Sequence, residues 1–232
     1  MMNLQERVEK IRVAFSNRNY DVMRQEGILE IEEKRHQDRM EKFLKSVPSL
    51  FLGKSFDDFR VDYPEQDRVK KIAQRYADSF KERLENGNNL LFLGNPGTGK
   101  TLLSLILYQT LAKSGFIVHY EPSLHFLRLF RDKSFESHQA FEKILDYYTR
   151  MEFLIIDEAT ESRVTGNDLC HWEKENLFSL VNSRYQQSKL CTLFISNLSE
   201  KEVEKKIGER IMGRLMQDSI SLSFNWQSYR QP

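Results

Sequence analysis

The chain has 232 residues, 40% of them hydrophobic and 30% charged, with a formal net charge of +1. That is room for one full-sized domain and a small one. The near-neutral balance excludes a basic tail as a nucleic-acid binder, so any DNA contact has to come from a local patch. Cys170 and Cys191 have no CxxC or metal-ligand spacing, and the histidines are scattered, so the chain reads as a reduced, cytoplasmic protein without a zinc site. The start, MMNLQERVEK, is charged at once and is not a signal peptide. The longest apolar stretch, Leu102 to Tyr108, falls far short of the roughly 20 residues a membrane span needs.

Residues 1–48 read as helical and highly charged. Leu4, Val8, Ile11 and Phe15 fall on one narrow helical stripe, too little to form a core unaided, and so imply a partner surface. Val47-Pro48 ends this region, because proline disfavours helix in the residue before it. In the remainder, 49–232, the stretch SFDDFRVDYPEQ reads as extended chain and turn, and VKKIAQRYADSFKERLENG as one amphipathic helix stopped at Gly87. From residue 90 onward, strands LLFLG, FIVHYE, MEFLIIDEA and LCTLFISNL alternate with helical patterns. Strand and helix in alternation predict an α/β fold with a central parallel sheet covered on both faces.

Gly94-Asn95-Pro96-Gly97-Thr98-Gly99-Lys100-Thr101 fits GxxxxGK[ST] in full, with a strand entering and a helix leaving. Its backbone N–H groups and the helix N-terminus suit phosphate oxygens. Lys100 is placed to reach the β- and γ-phosphates of ATP, and the Thr101 hydroxyl to ligate Mg²⁺. Phe153-Leu154-Ile155-Ile156 makes a central strand ending in Asp157 and Glu158. Ligands bind at that edge of a parallel sheet. Asp157 suits the Mg²⁺ shell and Glu158 the attacking water, the alternative being two surface acids. The next strand tip, Ser196-Asn197, is either a γ-phosphate sensor holding that water through Asn197 or the start of a turn. Arg210 and Arg214 lie four apart on one helical face, either as a solvated face or as a trans-acting arginine.

With these elements in view, the chain resembles the DnaC family of replicative-helicase loaders, AAA+ ATPases related to the initiator DnaA. SFDDFRVD, with Phe59, looks like the family's adenine-pocket segment. ISN resembles sensor 1, GERIMGRL the arginine-finger motif with Arg214 as finger, and FNWQSYR the loader C-terminus, with Arg230 corresponding to the sensor 2 arginine. The stretch after Asn197 is too short for a full helical lid, which fits a loader rather than DnaA. The resemblance implies slow, switch-like ATP hydrolysis and self-association through the AAA+ domains. It also implies binding of a hexameric replicative helicase through the N-terminal region, and contact with single-stranded DNA. Basic and aromatic residues suited to the last are Arg131 and Phe135, and Trp172 with Arg163 nearby. The alternatives are an IstB-like transposition helper acting on duplex DNA and a nucleotide-gated DNA-binding adaptor with little turnover.

Overall fold

Apolar runs that alternate with helices have to be buried on two faces, and the structure, a computed structural model, arranges them in one sheet. It describes residues 49–160, 169–187 and 190–230, all within the compact unit Ser49–Pro232. The expected helical region 1–48, with its apolar stripe, and Arg163 lie outside the described residues.

Strands β1 (Leu90–Gly94), β2 (Val118–Pro122), β3 (Phe153–Asp157), β4 (Cys191–Ser196) and β5 (Ile220–Phe224) pair in the order β2-β3-β4-β1-β5, every pair parallel. Every residue of β1, β3 and β4 is buried, as strands covered on both faces require. The helices are α1 (Pro64–Asp78), α2 (Phe80–Asn86), α3 (Lys100–Lys113), α4 (Ser123–Glu136), α5 (His138–Thr149), α6 (His171–Gln186), α7 (Glu200–Ile207) and α8 (Glu209–Met216). On one face, Leu91, Leu93, Leu154, Ile156 and Phe194 meet apolar side chains of α4 to α8. On the other, Tyr76 of α1 and Phe80 of α2 pack on Phe153, with ring centroids 5.9 and 5.4 Å apart. Full burial of an aromatic of this kind contributes about 1.5–3 kcal/mol.

The fold differs from the sequence reading in three places. The single helix expected before Gly87 is two helices, and it begins earlier, at Pro64, where proline is pre-shaped for the first helical position. Gln66 supports that start by accepting the Tyr63 N–H at 3.0 Å. The break falls at Ser79, whose hydroxyl donates back to the Arg75 carbonyl at 2.8 Å, a bond that bends helices. The third difference is β5, a strand that the sequence reading does not contain. Its Leu222 and Phe224 are buried and its Ser221 and Ser223 exposed, the one-sided alternation of an edge strand. Among the described residues no helix is long and apolar enough to cross a membrane.

One buried cation ties the starts of two strands to the helices beside them. Arg184 of α6 donates from Nε to Thr192 Oγ1 at 3.0 Å, from Nη1 to the carbonyls of Tyr148 and Met151 at 2.7 and 2.8 Å, and from Nη2 to the Cys191 carbonyl at 2.7 Å. Burial brings its guanidinium down to about 10, still charged at neutral pH. Arg184→Ala strands three carbonyls, each costing about 1–3 kcal/mol when left unpaired, so a loss of at least ~3 kcal/mol is expected in urea unfolding. A loss below about 1 kcal/mol would mean that water replaces the guanidinium and that it is not a structural tie.

Candidate nucleotide site

The strand register sets the walls of the glycine-rich loop. Gly94 ends β1 opposite Phe224 of β5, and Leu93 lies opposite Ser196 of β4. Gly94 has φ 122, and a Cβ there would sit 2.6 Å from the Phe224 carbonyl oxygen, so only glycine fits. The loop closes on itself as Thr98 Oγ1 donates to the Asn95 carbonyl at 2.7 Å. Gly99, φ 92, then starts α3, and a Cβ on it would meet the Phe59 ring at 3.0 Å and the Tyr229 ring at 3.2 Å.

Lys100 is buried and donates to the carbonyls of Gly94 and Asn95 at 2.7 and 2.6 Å. Burial brings its ammonium down to about 8, Arg230 adds to the fall, and Asp157 opposes it. Thr101 Oγ1 donates to Asp157 Oδ2 at 2.9 Å, and the Glu158 N–H donates to Asp157 Oδ1 at 2.9 Å. A hydroxyl and a carboxylate so joined are the hard oxygen donors that suit Mg²⁺, which takes its remaining ligands from phosphates and water. Among the described residues no group of three or more His, Cys, Asp or Glu forms a separate metal cage. Glu158 stands exposed at φ 55, a left-handed conformation that costs a non-glycine residue about 1–2 kcal/mol and that marks functional turns. The chain beyond it is fixed by the Ala159 N–H to the Ile195 carbonyl. Asn197 is exposed between Ser196, whose hydroxyl bonds Thr160 at 2.7 Å, and Leu198, whose carbonyl accepts the Gly94 N–H at 3.2 Å. The sensor candidate is thus tied to the loop by backbone.

The segment 225–230 runs over the loop as a strap. The Asn95 N–H donates to the Phe224 carbonyl at 2.9 Å, the Tyr229 N–H to the Gly97 carbonyl at 2.9 Å, and Trp226 Nε1 to the Thr98 carbonyl at 3.2 Å. Tyr229 reaches on to the Arg60 carbonyl at 2.8 Å and meets Phe59 edge-on at 6.4 Å. Phe59, 1% exposed, is therefore part of the packing under the loop. Arg230 lines a hollow of about 530 Å³ with Asn95, Pro96, Gly97, Trp226 and Ser228. A second hollow, of about 430 Å³, opens at the other edge of the sheet beside Asn89, Tyr185 and Asp218.

Arg214 lines that second hollow, away from the loop. Its guanidinium is committed within the chain, from Nε to Asn182 Oδ1 at 2.8 Å and from Nη1 to the Arg210 carbonyl at 2.8 Å, between the rings of Phe178 and Tyr185. Arg210 is exposed and lies 4.1 Å over the Phe178 ring. Phe135 is 84% exposed in the last turn of α4, one turn from the exposed Arg131, which pairs with Asp132 at 3.4 Å. Trp172 differs from it, being half-buried against the core in the first turn of α6. Tyr120 meets the site although no sequence motif contains it, and Arg60 and Ser228 meet it from within the SFDDFRVD and FNWQSYR segments, where the sequence reading gives them no role.

A strand-loop-helix phosphate cradle at the carboxyl edge of a parallel sheet, facing a strand that ends in Asp-Glu, is the architecture of P-loop nucleotide-binding proteins. Comparison with known proteins makes this narrower. The sequence matches the IstB-like ATP binding protein family over residues 5–231. It is 30% identical over 190 residues to the replicative helicase loader DnaC of Buchnera aphidicola subsp. Acyrthosiphon pisum (strain APS), covering 80% of this chain and 72% of that one. It is 28% identical over 210 residues to an insertion-sequence ATP-binding protein of Geobacillus stearothermophilus, covering 88% of this chain and 78% of the other. The fold matches the crystal structure of the DnaC helicase loader with a TM-score of 0.67 at 18% identity, covering 76% of this chain and 99% of that one. The chain belongs to the IstB/DnaC family of ATP-binding proteins.

If Lys100 is the phosphate contact, nucleotide affinity should depend on pH. The phosphates would then raise its pKa, and the complex would keep a proton that the free protein loses above about 8. Affinity for ATP is expected to fall as pH rises through that value. Calorimetry in two buffers of unlike ionisation enthalpy should find more proton uptake at about pH 9 than at about pH 7. Equal uptake at both would mean that Lys100 stays charged throughout.

Proposed function

We propose that this protein is an ATP-hydrolysing loader that delivers a hexameric replicative helicase onto single-stranded DNA. The observation that carries the reading is a complete phosphate cradle, in which Lys100 is held by the Gly94 and Asn95 carbonyls of the loop and Thr101 is hydrogen-bonded to Asp157, in a chain similar over most of its length to a named helicase loader. Gly94 to Thr101 then bind the phosphates, and Lys100 exchanges its two carbonyl partners for phosphate oxygens. Thr101 and Asp157 hold Mg²⁺, which neutralises charge on the phosphates. Glu158 and Asn197 flank the place of the attacking water, and Arg230 contacts the nucleotide from the strap. Residues 1–48 grip the helicase.

Arg210 fits the trans-acting role better than Arg214, which moves the assignment one helical turn from the sequence expectation. The exposed Arg210 is offered to a neighbouring copy, whereas Arg214 is spent on Asn182 and braces the helix. For DNA, exposed Phe135 and Arg131 offer a stacking ring with a cation beside it. Trp172 contributes mainly to packing. The family match also supports a second reading, a transposition helper acting on duplex DNA, because an insertion-sequence protein aligns over 88% of the chain.

The direct test is loading. With the host's ring helicase, ATP and protein-coated single-stranded circles, the chain should make unwinding appear, and a chain beginning at Ser49 should bind nucleotide without doing so. Activation of a transposase on duplex DNA, with no effect on the helicase, would favour the second reading. Lys100→Ala should lose nucleotide binding, while Glu158→Gln keeps it and loses turnover; equal loss of affinity in both would refute the division of roles. Phe135→Ala should weaken single-strand binding about tenfold, since base stacking is worth about 1–3 kcal/mol.

Arg210→Ala should lower turnover by at least about tenfold, given how much such an arginine contributes. Mixing it with Glu158→Gln protein should restore part of the activity through hybrid sites. No restoration in a mixture that demonstrably assembles would return both arginines to the solvated surface.

A further inference from the structure

Strand β2 carries chemistry that the nucleotide site does not account for. Side chains alternate along it, so His119 and Glu121 share one face and Tyr120 takes the other. Tyr120 lies beside β3, its backbone level with Ile155 and two residues short of Asp157. Its hydroxyl donates to Asp157 Oδ2 at 2.8 Å, the oxygen that also accepts the Thr101 hydroxyl.

A carboxylate offers about four acceptor sites. On Asp157 three are filled among the described residues, two on Oδ2 by Thr101 and Tyr120 and one on Oδ1 by the Glu158 N–H. The carboxylate is thereby held from three directions, by the start of α3, by β2 and by its own backbone. Thr101 spends its one proton on Oδ2, which leaves the lone pairs of its oxygen to a cation. Burial, the Asp157 charge and the hydrogen bond to Asp157 push the Tyr120 hydroxyl far above its ordinary range, so it remains a donor at any working pH.

We propose that Tyr120 is a positioning residue for the Mg²⁺–nucleotide site, holding the Asp157 carboxylate in the orientation in which it takes the Thr101 hydroxyl. This rests on the proposed nucleotide reading and adds a residue to it. Without the phenol, Oδ2 loses its tie to β2 and the carboxylate is free to turn away from Thr101. Removing an outer hydrogen-bond partner of a metal ligand typically weakens metal binding about 10–100-fold.

The test is the free-Mg²⁺ dependence of fluorescent ATP-analogue binding, compared among wild type, Tyr120→Phe and Tyr148→Phe. Tyr148 is the matched control, because its hydroxyl donates at 2.7 Å to a different buried carboxylate, Glu121 on the opposite face of β2. Tyr120→Phe should need about tenfold more Mg²⁺ for half the tightening. Its affinity in excess chelator, which reports folded protein independently of the metal, should match wild type. Tyr148→Phe should keep the wild-type Mg²⁺ dependence. The proposal is overturned if Tyr120→Phe titrates with Mg²⁺ like wild type, if its chelator affinity falls just as far as its Mg²⁺ affinity, or if both variants shift together. If wild type itself binds the analogue without regard to Mg²⁺, it is the metal–nucleotide reading that fails.

Discussion

The parallel pairing of β1 with two neighbours at once is the constraint on which the site depends. β4 on one side brings Ser196 level with Leu93, and β5 on the other brings Phe224 level with Gly94. Parallel strands deliver their carboxyl ends to one edge, so the glycine loop, the Ser196–Leu198 turn and the strap converge there without any long loop having to find them. The register leaves no slack. A slip of one residue would turn Leu91 and Leu93 from one core face to the other.

The buried charges of this domain divide by how they are satisfied. Arg184 gives its protons to backbone carbonyls and one hydroxyl that belong to the fold, and nothing in a reaction cycle competes for them. Lys100 also rests on carbonyls, but they are those of its own loop, close to where phosphates are recognised. Asp157 is held by three donors, two of them on elements that can be displaced only with the sheet. Burial pushes Glu121 up, and hydrogen bonds from His119 and Tyr148 more than offset it, so a second carboxylate stays ionised behind the first. On the proposed reading one cation is permanently committed and the other exchangeable, a difference set by the partner rather than by depth.

Much of this architecture is legible in the sequence, for a local reason. The glycine loop, the strand ending in Asp157-Glu158 and the alternation of strand and helix are patterns within about ten residues, where backbone geometry and burial write directly onto residue type. β5 escapes such a reading because its one-sided Ile-Ser-Leu-Ser-Phe pattern is short and follows two helices across only Gln217-Asp218-Ser219. The break at Ser79 escapes it because a serine bonding back to its own helix looks like any exposed serine. Tyr120 and Tyr229 are different in kind. Their hydrogen bonds to Asp157 and Arg60 span 37 and 169 residues, and no local pattern encodes such a meeting. Arg214 is legible as an arginine on a helical face, but the Asn182 that engages it lies on another helix.

The strap also gives the loop a history. Residues 94–101 leave the ribosome well before residues 224–230, yet the walls that face Gly94, Gly97 and Gly99 are Phe224, Ser228 and Tyr229. A nascent chain that has made only the first four strands has the phosphate motif in full and lacks the surface it is built against. Contacts so distant in sequence carry a loop-closure cost that local contacts do not. On the proposed reading, a chain cut short of Phe224 would carry the whole phosphate motif without the walls its glycines pack against.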